Sequence, residues 1–209
     1  MKTTQNCTIY LVRHGRTDWN DKKLVQGHID IPLNSAGKTA AQELAQKLRK
    51  IKFDKVYSSD LLRAKQTAEI IALEHELEVE TTKALRERTF GNLEGKSHDV
   101  FKKLDPILDS LDDKARYSYK FNSNMGMESD EEVMSRFLTF LREIAVANPG
   151  KTILVATHAG PMWMFLVKLG FYSYKGWISI NNLAYIKLES DGVDFFVKET
   201  SGIEKKIRE

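Results

Sequence analysis

Apolar residues follow two rhythms along this chain. Thr8-Ile9-Tyr10-Leu11-Val12 and Thr152-Ile153-Leu154-Val155-Ala156-Thr157 are short, continuous and rich in β-branched residues, the pattern of strands covered on both faces. Between them the apolar positions fall three or four apart, as on one face of a helix. Ala40, Ala41, Leu44, Ala45, Leu48 and Ile51 follow an Asn34-Ser35 cap, with Lys47, Arg49 and Lys50 in the last turn, where cations complement the helix dipole. Leu61, Leu62, Ala64, Ala68, Ile71 and Ala72 follow Ser58-Ser59-Asp60, which predicts a second helix capped there and running to His75. Residues 53–57 read as a short strand and Val79 starts another. Asp130 is the expected cap of a helix over 131–147, stopped by Asn148-Pro149-Gly150, and a further helix is expected over 161–169. Strands at 183–188 and 193–198 flank the hairpin-like turn Glu189-Ser190-Asp191-Gly192.

Strands alternating with helices predict an α/β fold: a three-layer α/β/α sandwich whose sheet is mostly parallel with an antiparallel edge. From about residue 91 to 127 the rhythm fails. Lys102, Lys103, Lys114, Arg116 and Lys120 are mixed there with Asp105, Asp109, Asp112 and Asp113, and the aromatics Phe101, Tyr117, Tyr119 and Phe121 suggest a partly packed cap. The expectation is one domain over residues 1–209 with a small irregular or helical cap inserted at about 96–128.

Composition narrows the function classes. The 209 residues are 42% hydrophobic and 29% charged with a net charge of +3, ordinary for a globular protein and too weakly basic to argue for nucleic acid. Cys7 is the single cysteine, so no intramolecular disulfide forms and a reducing cytosol fits. The stretch from Lys2 to Asn6 is polar, unlike a signal sequence, and the apolar run 162–169 contains Lys168, far short of the roughly 20 residues a bilayer requires. A cytoplasmic protein without membrane partners is expected.

The chemistry is concentrated at strand ends. Arg13-His14-Gly15 follows the first apolar run, with Gly15 expected to permit a sharp turn, and His158 with Gly160 follows the later one. Polar residues at the carboxyl ends of such strands lie where α/β sheets bind ligands. Taken singly, a histidine after a strand reads as a structural hydrogen-bonding residue and an arginine on a helix as a solvated one; their joint placement favours a pocket. Arg63, one turn into the second helix, can reach over its positive end. Together with Arg13 and helix amides it suits a tetrahedral dianion, because guanidinium forks match phosphate oxygens. A neutral His14 would then be an in-line nucleophile toward phosphorus, and His158 a donor to the equatorial oxygens, with the arginines supplying the charge a metal would otherwise bring. Glu87, in the glycine-containing loop 85–95, is the expected proton donor and acceptor. Glu94 in the same loop reads better as a capping carboxylate.

These segments resemble the histidine phosphatase superfamily, in the branch that contains cofactor-dependent phosphoglycerate mutase. Leu11-Val12-Arg13-His14-Gly15-Arg16-Thr17-Asp18-Trp19-Asn20 resembles its signature; Gln26-Gly27, Asp30, Pro32-Leu33 and Gly37 match the following loop. Residues 58–68, Glu87 with Phe90-Gly91 and Glu94-Gly95, 126–129, and Thr157-His158-Ala159-Gly160 are similar to the later blocks, in order, over nearly the whole chain. The resemblance implies that His14 is phosphorylated, that Arg13 and Arg63 hold the phosphoryl group, that His158 stabilises the transition state and that Glu87 is acid and base. It adds Gly15, Thr17, Asn20, Gln26, Gly27 and Ala159 to the phosphate or substrate side, although a turn-stabilising role serves Thr17 equally well. It implies no cofactor. Arg16, where the family often has Glu or Gln, is expected to add positive charge at the rim.

Mutases of the family carry a long insertion with an adjacent arginine pair and a proline cluster. Here 96–124 is short and has only Pro106 and no adjacent arginines. Water should reach a phosphohistidine, and hydrolysis should win. The expected function is a metal-independent phosphomonoesterase acting on a small phosphate ester, ahead of a mutase and, further behind, a non-catalytic phospho-binding module. The basic residues of the cap would suit a second anion and its aromatics an apolar group, while a solvated helix face beside the acidic residues accounts for the basic ones equally well; a homodimer stays open.

Overall fold

The computed structural model describes residues 5–174 and 177–206; Lys2 to Thr4 of the polar N-terminal stretch lie outside them. The six strands are β1 (Cys7–Arg13), β2 (Lys55–Ser59), β3 (Val79–Thr82), β4 (Thr152–Thr157), β5 (Trp177–Ser190) and β6 (Phe195–Lys206). They form one sheet in the order β3-β2-β4-β1-β5-β6. The first four are mutually parallel, and β5 and β6 run antiparallel at one edge. The helices are α1 (Asp18–Asp21), α2 (Ser35–Leu48), α3 (Leu62–Leu73), α4 (Asp105–Asp109), α5 (Asp113–Tyr117), α6 (Asp130–Ala147) and α7 (Ala159–Lys168).

Side-chain alternation divides the core in two, because successive residues of a strand face opposite sides of a sheet. Ile9 and Leu11 of β1, with Ile153 and Val155 of β4, pack against α6 and α7. Tyr10 and Val12, with Leu154 and Ala156, pack against α2 and α3. The chain thus leaves β1 toward a helix on one face and leaves β4 toward a helix on the other. Adjacent parallel strands with that divergence open a crevice at their carboxyl ends, the usual binding position in such sheets.

Several boundaries differ from expectation for physical reasons. Ser58 and Ser59 close β2 rather than capping α3, whose N-cap Leu61 has no side-chain cap bond. The amide of Leu62 is satisfied instead by Asp30 Oδ1 at 2.6 Å, a cap supplied from a distant loop. Ser129, not Asp130, caps α6, in a capping box with Glu132. The edge hairpin is much longer than its apolar core because β6 continues through Lys198-Glu199-Thr200-Ser201-Gly202, whose backbone still pairs with β5. Residues 96–128 form short 3-10 and α segments, none longer than His98–Lys103. No helix of the described residues is long and apolar enough to cross a membrane.

Candidate active site

β1 delivers His14 into the crevice, and its backbone amide donates to Thr157 O at 2.9 Å, continuing the β1–β4 ladder past the strand end. The ring is 3% exposed. Its Nδ1 lies 2.7 Å from the carbonyl oxygen of Gly15; since a carbonyl only accepts, Nδ1 carries the proton and Nε2 keeps a free lone pair. Burial, reinforced by Arg63 and Arg13, holds the His14 pKa well below the usual imidazole value. A neutral, oriented imidazole results.

The ring of His158 is 5.2 Å from that of His14, centroid to centroid. It too is buried, and desolvation with Arg63, His14 and Arg13 drives its pKa well down. Ser59 Oγ sits 2.9 Å from His158 Nε2 and accepts from the amide of Leu61. We assign the Ser59 hydroxyl proton to Nε2 and the histidine proton to Nδ1, the ring nitrogen that has no protein partner. Ser59 thus orients His158.

Arg63 is fully buried. Its Nη2 donates to Gly27 O at 2.7 Å and its Nη1 to Ile29 O at 3.0 Å, while Arg13 Nη1 donates to Ile180 O. Burial pulls both guanidiniums down to about 10, opposed by the carboxylate of Glu87, so both stay charged at neutral pH. Arg13 Nε, Arg63 Nε and His158 Nδ1 are buried with no protein partner. Buried polar atoms are normally satisfied. Three N–H donors around a neutral imidazole form a site for a multiply charged oxyanion.

Glu87 stands at the wall of this cage. Its Oε1 accepts from the amide of Arg88 at 2.9 Å and its Oε2 from that of Gly160 at 3.2 Å. Gly160 lies in the first turn of α7, and a Cβ there would collide with Oε1. Arg136 holds the backbone beneath: Nη1 donates to Ala84 O and Arg86 O at 3.0 and 2.7 Å, and Nη2 to Glu87 O at 2.9 Å. Its remaining donors form a two-pronged pair with Glu128 at 3.0 and 2.9 Å. His28 Nε2 adds a bond to Glu87 O at 2.8 Å. Glu94 is spent on structure, its Oε1 accepting from His28 N, Thr89 Oγ1 and Phe90 N.

The sequence profile of the histidine phosphatase superfamily (branch 1) matches residues 9–201. The chain belongs to this superfamily. It is 40% identical over 162 residues to phosphoglycerate mutase-like protein 4 of Arabidopsis thaliana, covering 73% of this chain and 66% of that protein, just under two thirds. It is 32% identical over 161 residues to the uncharacterized phosphatase PhoE of Bacillus subtilis, covering 77% and 76%. Among solved structures, Bacillus stearothermophilus YhfR superposes with a TM-score of 0.77 at 27% identity over 91% of this chain and 95% of that one.

The other expected residues of this superfamily member divide by position. Gly15 is needed for close approach rather than for an unusual turn: a Cβ would lie 2.9 Å from Gly37 O. Thr17 caps α1 in a box with Asn20, and its hydroxyl also reaches Gln26 Oε1 at 3.1 Å, so turn stabilisation is its visible role. Asn20 Oδ1 accepts from the Thr17 amide and hydroxyl at 3.1 and 3.0 Å. Gly27 presents its carbonyl to Arg63 and has φ of 50°, where a Cβ would meet the Glu94 side chain. Ala159 opens α7 beside His158. Arg16, expected to add positive charge at the rim, has an exposed guanidinium that pairs with Asp21.

Sequence reasoning missed Asn182, whose Nδ2 donates to His14 O at 3.0 Å and Gly15 O at 3.2 Å. It missed Arg136 and the link between Ser59 and His158 as well. An Asn-Asn pair inside a strand and an arginine on an otherwise apolar helix face were the available signals. Beyond Glu87 and Gly160 opens a cavity of about 580 Å³ under the cap, lined also by Arg88, Phe101, Phe121 and Trp163. Among the described residues no group of three or more His, Cys, Asp or Glu is arranged to hold a metal ion.

Proposed function

We propose that the chain is a phosphomonoesterase that hydrolyses a small phosphorylated metabolite through a phosphohistidine on His14. The observation that carries this is the neutral, Nε2-free ring of His14 beside His158 and two buried guanidiniums. In the first step Nε2 attacks phosphorus, an N–P bond forms and the ester P–O bond breaks. Glu87 gives its proton to the leaving oxygen. In the second, water attacks phosphorus, the N–P bond breaks and Glu87 takes the proton of the water, releasing inorganic phosphate.

Arg13, Arg63 and the Nδ1–H of His158 stabilise the equatorial oxygens as charge builds up on them, a contribution largest where water is excluded. Gly15, Asn20, Gln26 and Ala159 border the phosphate, and Thr17 and Gly27 shape the loop that holds it. Because the arginines supply the neutralising charge, no metal enters the scheme. The phosphatase name of the Bacillus relative supports hydrolysis and the mutase-like name of the plant relative supports transfer. The short cap between residues 96 and 128, without adjacent arginines, favours hydrolysis. A cytosolic location fits the buried reduced thiol of Cys7.

Incubation with 3-phosphoglycerate decides between the two activities. Release of inorganic phosphate without 2-phosphoglycerate supports the phosphatase, and accumulation of 2-phosphoglycerate supports the mutase. Vanadate, a trigonal-bipyramidal mimic, should inhibit and chelators should not; binding of phosphate esters without any turnover would favour a recognition module.

A further inference from the structure

The cavity under the cap bears on which alcohol leaves. Glu87 and Gly160 are on its wall, so it continues from the phosphate cage on the side of the proton donor. At about 580 Å³ it lies in the range of small-molecule sites. The sequence left open whether the cap grips a second anion or an apolar group. We infer that this cavity takes an uncharged apolar or aromatic alcohol, and that the Arg88–Asp130 ion pair withholds from the substrate the cation best placed to grip a second anion. The inference rests on the phosphatase reading above.

The cations on the wall are already matched. Arg88, 10% exposed, pairs with Asp130, 7% exposed. Arg116 lies 3.5 Å from Asp109 and over the rings of Trp163 and Tyr174 at 5.8 and 5.0 Å. Lys102 is 2.7 Å from Asp99. Asp105 adds a further carboxylate to the same wall. Of the other basic residues of the cap, Lys103 and Lys114 are exposed and outside the lining, while Lys120 is engaged by Glu131 and Glu132 at 3.6 and 3.5 Å. A substrate carboxylate would enter a wall already rich in negative charge, and like charges in a partly desolvated cleft repel.

Polyols are disfavoured for a second reason. Among the described residues lining the cavity there is no Asn, Gln, Ser or Thr, and Tyr174 and His98 are its neutral polar side chains, so most hydroxyl groups of a sugar would lose water without gaining neutral partners. The remaining surface is apolar and aromatic: Phe90, Phe101, Phe121, Trp163, Met164 and Ile180. Such a surface stabilises a ring or alkyl group by burial and edge-to-face contact.

The test compares kcat/KM for 2-phenylethyl phosphate, 3-phosphoglycerate and glucose 6-phosphate. All three are primary alkyl esters, so the leaving oxygens are chemically alike and the ratio reports the cavity. The phenylethyl ester should be preferred by at least about tenfold, the scale set by burying a few carbon atoms while leaving polar groups unpaired. An equal or inverted ratio overturns the inference and leaves the phosphatase intact; no turnover of any ester overturns both. Asp130→Asn, which releases Arg88, should narrow the ratio by lowering the KM for 3-phosphoglycerate. Phe101→Lys, at a half-buried cap position with no partner charge to strand, should do the same. A ratio moved by neither variant overturns the inference.

Discussion

The carboxyl end of the parallel sheet and the cap above it are built by different means. At the sheet end, each reacting group is positioned by a contact far away in sequence. His14 is tied to Thr157 and Asn182, Arg63 to Gly27 and Ile29, His158 to Ser59, and Glu87 to Gly160 and Arg136. The cap has long-range ties too, such as His98 N to Lys23 O and Arg116 over Trp163 and Tyr174, but between them it leans on near neighbours: Ser97 with Asp99, Asp112 with Ala115, Asn122 with Asn124 and Lys102 with Asp99. Long-range ties over-determine a geometry, and local ones leave a segment that tolerates change. On the proposed reading, the difference teaches that the sheet sets the reaction and the cap the choice of substrate.

The largest expected effect lies in the first region. His14→Ala should lower kcat/KM by about 10⁵-fold or more, the scale for losing a covalent nucleophile, with the near-ultraviolet circular dichroism retained. Residual turnover near the wild-type rate would break the comparison at its root. Glu87→Gln should cost about 10²–10⁴ in kcat, the usual range for a proton-transfer group, and least for esters of acidic alcohols, which need no protonation. A loss equal for all leaving groups would remove Glu87 from that role.

Arg136 sharpens the comparison, since its hydrogen bonds reach the site through the backbone that carries Glu87. Arg136→Ala should lower kcat by about 10²-fold, as for small misplacements of a reacting group, with little change in KM. Arg136→Lys should fail to restore it, because one ammonium cannot reach three carbonyls and a two-pronged carboxylate together. On the cap side, Lys114→Ala should change neither kcat nor stability beyond about 0.5 kcal/mol, the measure of an exposed surface position.

Stability should show the same division through pH. His14 and His158 are buried and neutral, with pKa values below that of an unfolded histidine, 6.5. Below that pH the unfolded chain binds protons that the folded chain refuses, so unfolding is favoured as pH falls. Each histidine contributes a slope approaching about 1.4 kcal/mol per pH unit between its folded and unfolded values. Denaturant melts at pH 7 and 5 should show this loss, and His158→Gln should reduce it. An unchanged pH dependence in that variant would contradict a neutral buried His158.

Much of this was legible in the sequence, and for identifiable reasons. β4 was delimited correctly because its residues are all apolar or β-branched and the polar residues Lys151 and His158 bound it. α2 was placed at its cap because Asn34 does what the sequence suggests, accepting from Gly37 N at 2.8 Å. Ser58 and Ser59 misled because serine before a helical pattern reads as a cap, yet tertiary structure recruits Ser59 to His158. The polar half of β6 was invisible, since an edge strand paired on one side needs no apolar alternation. Asn182 and Arg136 left only weak signals, because most of their partners are backbone carbonyls, which leave no trace in side-chain spacing.

The central claim is that His14 carries the phosphoryl group. Rapid mixing of the chain with a ³²P-labelled ester, quenching in alkali and mapping the label by peptide mass measures it directly. The account predicts one phosphoryl group on the peptide containing His14, stable in base, lost in acid and absent from His14→Ala. Turnover with no label on that peptide, or with an acid-stable label on another residue, would contradict it.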